Sequence, residues 1–117
     1  MLDKTGDVGL VEDMIFALLH IHATEKHSLD SYYLTKDKKW LELNDIARKM
    51  RQKYMPILVK KENSEIFCVT KHLLGGIIGL QECANRLYSQ KKFTEAEEMY
   101  SDAGILLGLL LTLNNLK

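Results

Sequence analysis

The segment HIHATEKH, His20 to His27, holds three histidines and a carboxylate within eight residues. Imidazole and carboxylate groups at that density are the raw material of metal sites and of general acid–base chemistry. Whether they act together depends on the face each one occupies. At 100° per helical residue, Val11, Ile15, Leu18, His22, Glu25 and Leu29 fall within a sector of roughly 80°. His22 and Glu25 therefore lie in an apolar stripe, whereas His20 and His27 lie on the opposite side with Asp13 and Thr24. The cluster divides between two faces, and His20 and His27 read as solvated surface.

A buried carboxylate needs a partner. Folding the chain back after Leu34 sets Arg51 level with His22 and Arg48 level with Glu25. Arg51 is nearer the core face of its helix, so Glu25–Arg51 is the preferred pair and Arg48 the fallback. This reading is an interior polar network of His22, Glu25, Arg51 and Arg48 that fixes register. The competing reading is a small-ligand or metal-binding bundle that uses His22, Glu25 and His72. Di-iron bundles draw on Glu-x-x-His motifs from facing helices, and the chain has none. His72 also stands about seven residues, or ~10 Å along the axis, from the level of His22. No metal ligand set and no cofactor is assigned. Without a P-loop or a local Ser/His/Asp constellation, no catalytic residue is assigned either, and the balance is against an enzyme.

Four amphipathic segments must position these groups. The first runs from about Asp7 to Leu34. The second starts near Asp37 and carries Trp40, Leu43, Ala47, Met50, Tyr54 and Ile57 on one face, with Pro56 expected to kink it or end its regular part. The third covers about Glu65 to Ser89, with Ile66, Val69, Leu73, Ile77, Leu80, Ala84 and Leu87 at helical spacing. The fourth opens at FTEAE, where Thr94 and Glu97 have capping-box spacing, and runs to about Asn115. Short connections between long helices favour antiparallel neighbours. The expected fold is all-α, an antiparallel up-down-up-down four-helix bundle that takes residues 1–117 as a single domain.

The stretch HLLGGIIGL, His72 to Leu80, places three glycines in the third helix, each costing roughly 0.8–1.0 kcal/mol relative to Ala. Across a tight turn near Lys91 and Lys92, Gly75 falls level with Gly108 and Gly79 level with Gly104. Close packing of the third and fourth helices through these four residues would offset that cost, since small residues let backbones approach.

Sixteen basic and sixteen acidic side chains cancel, which argues against nucleic acid or an anionic membrane as a partner through bulk electrostatics. The N-terminus MLDKTGDVGL has no basic segment leading into an apolar run, so no signal peptide is expected. The longest apolar run, Gly104 to Leu113, is about half the ~20 residues needed to span a bilayer. Cys68 and Cys83, placed on one helix, stand roughly 22 Å apart, beyond the ~7 Å Cα limit for a disulfide. Two free thiols fit a reducing, cytoplasmic setting.

The piece ANRLYSQKKFTEAEEMYSDAGILLG, within residues 84–108, resembles a tetratricopeptide-type hairpin, with Ala84, Phe93, Ala96, Tyr100 and Ala103 at the small and large positions of that repeat. There is no second copy, and Gly108 stands where the terminal proline of the repeat would fall. The whole chain also resembles the four-helix bundles of the HEPN superfamily, some of whose members are RNases. Their signature is an Arg followed four to six residues later by His. Arg48, Arg51 and Arg86 have no His in that window, so the resemblance implies a bundle and carries no nuclease activity.

Self-association is the functional expectation. The fourth helix is apolar nearly all round from Ala103 to Leu113. If its core face takes Ala103, Leu107 and Leu111, then Ile105 and Leu109 point outward, near outward-facing Phe16 and the off-stripe Phe67, Leu74 and Ile78. A helix that is apolar all round in a small domain is normally covered by something else. The expected occupant is a second copy in a homodimer, or another protein.

Overall fold

A computed structural model describes residues 8–59 and 64–113. Four helices account for them: α1 is Val8–Thr35, α2 is Lys39–Leu58, α3 is Ser64–Ser89 and α4 is Phe93–Leu113. No strand occurs among the described residues, and the all-α four-helix expectation holds.

Both turns among the described residues end their helix with a lysine in the left-handed region, Lys36 at φ 58° and Lys91 at φ 62°. After α3 the turn is a Schellman closure. Lys92 N–H donates to Leu87 O at 2.9 Å, and Lys91 N–H donates to Tyr88 O at 2.9 Å. After α1, Lys36 N–H donates to Tyr32 O at 2.7 Å, and its ammonium lies 5.6 and 5.9 Å from the Tyr32 and Tyr33 ring centroids. Asp37 then starts α2 by accepting the Lys39 N–H on its side chain at 2.9 Å.

The end of α2 falls just past Pro56, in keeping with the expected break there, and the start of α4 differs from expectation. Helix α2 continues through Pro56 to Leu58 before Val59 turns extended at φ −137°, ψ 151°. Helix α4 begins at Phe93, two residues before a Thr94 cap would start it, with Ala96 N–H donating to Lys92 O at 3.0 Å, so Thr94 lies inside the first turn and does not cap it. The last four residues, including the expected end at Asn115, lie outside the described residues.

The helices pair as two hairpins, α1 with α2 and α3 with α4, joined through α1 against α3. Tyr100 Oη donates to Asn85 Oδ1 at 2.6 Å, and Gly76 faces Leu106, so sequence runs in opposite senses across α3–α4. Between α1 and α3 the senses agree, with His22 against Gly75 and His27 near Glu82. The core gathers Val11, Ile15 and Leu18 with Met55, Leu58 and Val59, then Leu74, Ile77 and Leu110. These come from the early part of α1, the end of α2, the middle of α3 and the end of α4. The hairpins are therefore cemented away from their turns. Truncating a fully buried member such as Leu18 to Ala is worth about 2–5 kcal/mol.

The buried faces are rotated slightly from the expected stripes. In α2 the buried residues are Ala47, Arg51, Met55 and Leu58, while Met50 is exposed. In α4 they are Ala96, Ala103 and Leu110, with Leu111 exposed.

The expected glycine packing does not occur. A Cβ at Gly79, Gly104 or Gly108 would meet nothing within 4 Å, and one at Gly75 would meet His22 Nε2 of α1 at 3.3 Å. Gly76 instead makes the close approach to α4, where a Cβ would stand 3.2 Å from Leu106 Cδ1. The level across the turn is close to the expected one, but the face is wrong by one residue, a rotation of about 100°.

Candidate functional site: a buried ion pair beside a cleft

Leu18, Glu25 and Ser28 lie along the buried face of α1, so the carboxylate of Glu25 points at α2 rather than at solvent. There it meets Arg51, and the two side chains pair in fork fashion. Arg51 Nε donates to Oε2 at 2.5 Å and Nη2 donates to Oε1 at 3.1 Å. The residues are 7% and 5% exposed, which makes this a desolvated pair. Arg51 Nη1 also lies 3.6 Å from Met55 Sδ one turn on. His22 Nδ1 lies 3.0 Å from Glu25 Oε2; with the carboxylate ionised, the ring N–H is the donor. Asn44 of α2 donates its side-chain N–H to the Glu25 backbone carbonyl at 2.9 Å, locking the two helices at the same level.

Burial pushes the Glu25 carboxyl upward, but hydrogen bonds from Arg51 and His22 and the Arg51 charge outweigh it. The result is a carboxyl held below its ordinary value. Arg48 takes no part. It is exposed and reaches Asp45 on its own helix at 3.3 Å. Asp45 is likewise held low, by the hydrogen bonds of Lys49 and Arg48.

Between α1, α2 and α3 a cleft of about 680 Å³ opens beside the pair, lined by His22, Glu25, Arg48, Arg51, Lys71, Gly75 and Gly79 among others. His72 is exposed and does not line it, so the trio of His22, Glu25 and His72 is not brought together. Successive residues on a helix diverge by about 100°, and Lys71 takes the inward place that His72 was given. Among the described residues no group of three His, Cys, Asp or Glu is placed to hold a metal ion. His20 and His27 are exposed: the His20 ring stacks edge-on against Phe16 at 4.5 Å, and His27 Nε2 approaches Glu82 of α3 at 3.9 Å. Cys68 and Cys83 are exposed free thiols.

The apolar surface residues divide. Ile105 is 60% exposed, Leu109 49% and Phe16 64%. Ile78 is half-buried, and with Phe16, Leu107 and Leu111 it lines a groove between α1, α3 and α4. Leu74 is fully buried in the core and belongs to no surface. It sits one residue from Leu73, off the expected stripe, although Ile77 and Ala84 of that stripe are fully buried beside it. Asn44, Lys71 and Gly76 carried no signal of their own in the sequence, because each depends on which face its helix turns inward.

No helix among the described residues is long and apolar enough to cross a membrane. No family model, curated protein or solved structure matches the chain, so neither the HEPN nor the tetratricopeptide resemblance gains support beyond the residues that suggested it.

Proposed function

We propose that the chain is a homodimeric interaction module whose contact is centred on the outer face of α4. The exposure of Ile105 and Leu109 carries this reading. They stand one turn apart on the side of α4 opposite the buried Ala103 and Leu110. Gly104 and Gly108 leave open space beside them, room for a second helix to come close to the α4 backbone. Ile105 and Leu109 are already about half covered, so burying the remainder would contribute about 1–2 kcal/mol each, before association costs are subtracted. A two-fold contact repeats the gain, since one patch serves both subunits.

A formal net charge of zero opposes no approach between copies. Two exposed free thiols suit a reducing, cytoplasmic setting. Light scattering over a range of concentrations tests the proposal. The expected mass at high micromolar concentration is twice that of the chain, and Leu109→Lys is expected to give a monomer that remains helical. A wild-type chain that stays monomeric there ends the reading.

A further inference from the structure

The cleft beside the Glu25–Arg51 pair has a volume of about 680 Å³, within the range of about 300–1,000 Å³ that small-molecule sites occupy. Two of its three carboxylates are held by full cations, and Glu82 has only a distant histidine contact. Arg51 holds Glu25, Lys26 Nζ stands 2.6 Å from Asp30 Oδ1, and His27 approaches Glu82 at 3.9 Å. Two of its cations are less engaged. Lys71 of α3 is half-buried and makes no ion pair or hydrogen bond with the described residues. Arg48 of α2 keeps a single 3.3 Å contact with Asp45, and Lys49 already holds the other oxygen of that carboxylate at 2.9 Å. Lys71 and Arg48 thus line the concavity from different helices, Lys71 without an ion pair and Arg48 with one shared carboxylate.

A second observation concerns the α3 wall. Gly75 and Gly79 both line the cleft, although glycine is a poor helix former. The place of a Gly79 Cβ is open space, so its missing side chain widens the cleft. Ala23, Leu29 and Ile78 add apolar lining. We propose that this cleft binds a small organic anion, a carboxylate or phosphate monoester with a compact apolar body. Lys71 and Arg48 hold the charge, and the body lies against the glycine wall of α3. Oppositely charged groups in a partly desolvated concavity attract one another more strongly than on open surface. The cleft lining comes from α1, α2 and α3, so this site is independent of the α4 contact proposed above.

The test is titration of the full chain with benzoate, phenyl phosphate and neutral benzamide, following the Gly75 and Gly79 amide signals by NMR. Saturable shifts with at least one anion, and none with benzamide at the same concentration, are expected. The anion that saturates first identifies the preferred head group. Lys71→Gln and Arg48→Gln should each weaken binding about tenfold, the loss of one charge-assisted contact. Gly79→Leu should abolish binding while far-ultraviolet circular dichroism stays helical. Should that variant unfold, the two cation variants, at solvent-accessible positions, carry the test. Equal saturation by benzamide, undiminished binding by the Lys71→Gln/Arg48→Gln double variant, or no saturable shift into the millimolar range overturns the proposal.

Discussion

The α1–α2 hairpin is held at mid-height by polar groups and the α3–α4 hairpin by small ones. In the first, Glu25, Arg51 and Asn44 meet through directed hydrogen bonds beside the cleft. In the second, Ala84, Ala96 and Ala103 are buried to 1% exposure or less and Gly76 touches Leu106. The polar hairpin obtains register from direction, because a fork of N–H groups fits a carboxylate in few ways. The small-residue hairpin obtains it from volume, because larger side chains would hold the backbones apart. Only the first should respond to pH.

Breaking the polar contact should have the largest effect. Arg51→Ala leaves Glu25 buried without its cation and is expected to cost about 3–5 kcal/mol in chemical unfolding. Replacing both partners, as Glu25→Leu with Arg51→Met, should cost far less than the two single changes together, because no charge is then stranded. If the double variant is as unstable as the sum of the singles, direction is not what the pair supplies.

The same pair fixes the pH dependence. The folded-state Glu25 carboxyl lies below its ordinary value of 4.5, so its contribution is fully present above that value. It is lost as pH falls through the lower folded-state value. Stability of the wild type should therefore drop more steeply on acidification than stability of Glu25→Gln. Parallel curves would show that the pair is not linked to folding.

Breaking the small-residue contact should cost less. Ala96→Leu forces bulk into a site at 0% exposure, and such overpacking typically costs about 1–3 kcal/mol. The loss should be the same at pH 7 and pH 4. A marked pH dependence would mean that the two hairpins are not distinguished in the way described.

Much of this arrangement is legible in the chain. The helix spans follow from apolar periodicity, and the Glu25–Arg51 partnership follows from a carboxylate set in an apolar stripe, facing two arginines across a short turn. What is not legible is helix rotation. The apolar residues of α3 and α4 nearly encircle their helices, so the stripe through Leu73 and the stripe through Leu74 look equally good. The structure buries Leu74 together with Ile77 and Ala84 of the stripe through Leu73, and Gly76 turns to α4 while Gly75 turns to α1. His72 and Lys71 exchange places for the same reason. Charge has direction and betrays its partner in sequence; a ring of leucines and glycines does not.

The smallest effects come from the glycines, and they sharpen the comparison most finely. Gly79, Gly104 and Gly108 sit in helix interiors with open space where a Cβ would stand. Alanine there should raise stability by about 0.4–1 kcal/mol each, by better helix propensity and a more restricted unfolded chain. Gly75→Ala should fall short of that gain, since the new Cβ meets His22 Nε2 at 3.3 Å and Glu25 holds that ring from its other side. Gly76→Ala presses on the end of the Leu106 side chain, which can give, so its cost should be slight. Protein concentration separates the three open positions. Gly79 lines the cleft and should gain equally at low and high concentration. Gly108 stands beside Ile105 and Leu109, so its gain should shrink where a second copy lies against α4. If Gly79→Ala and Gly108→Ala give the same gain at every concentration, the open side of α4 faces water throughout, and the dimer contact must lie elsewhere or not exist.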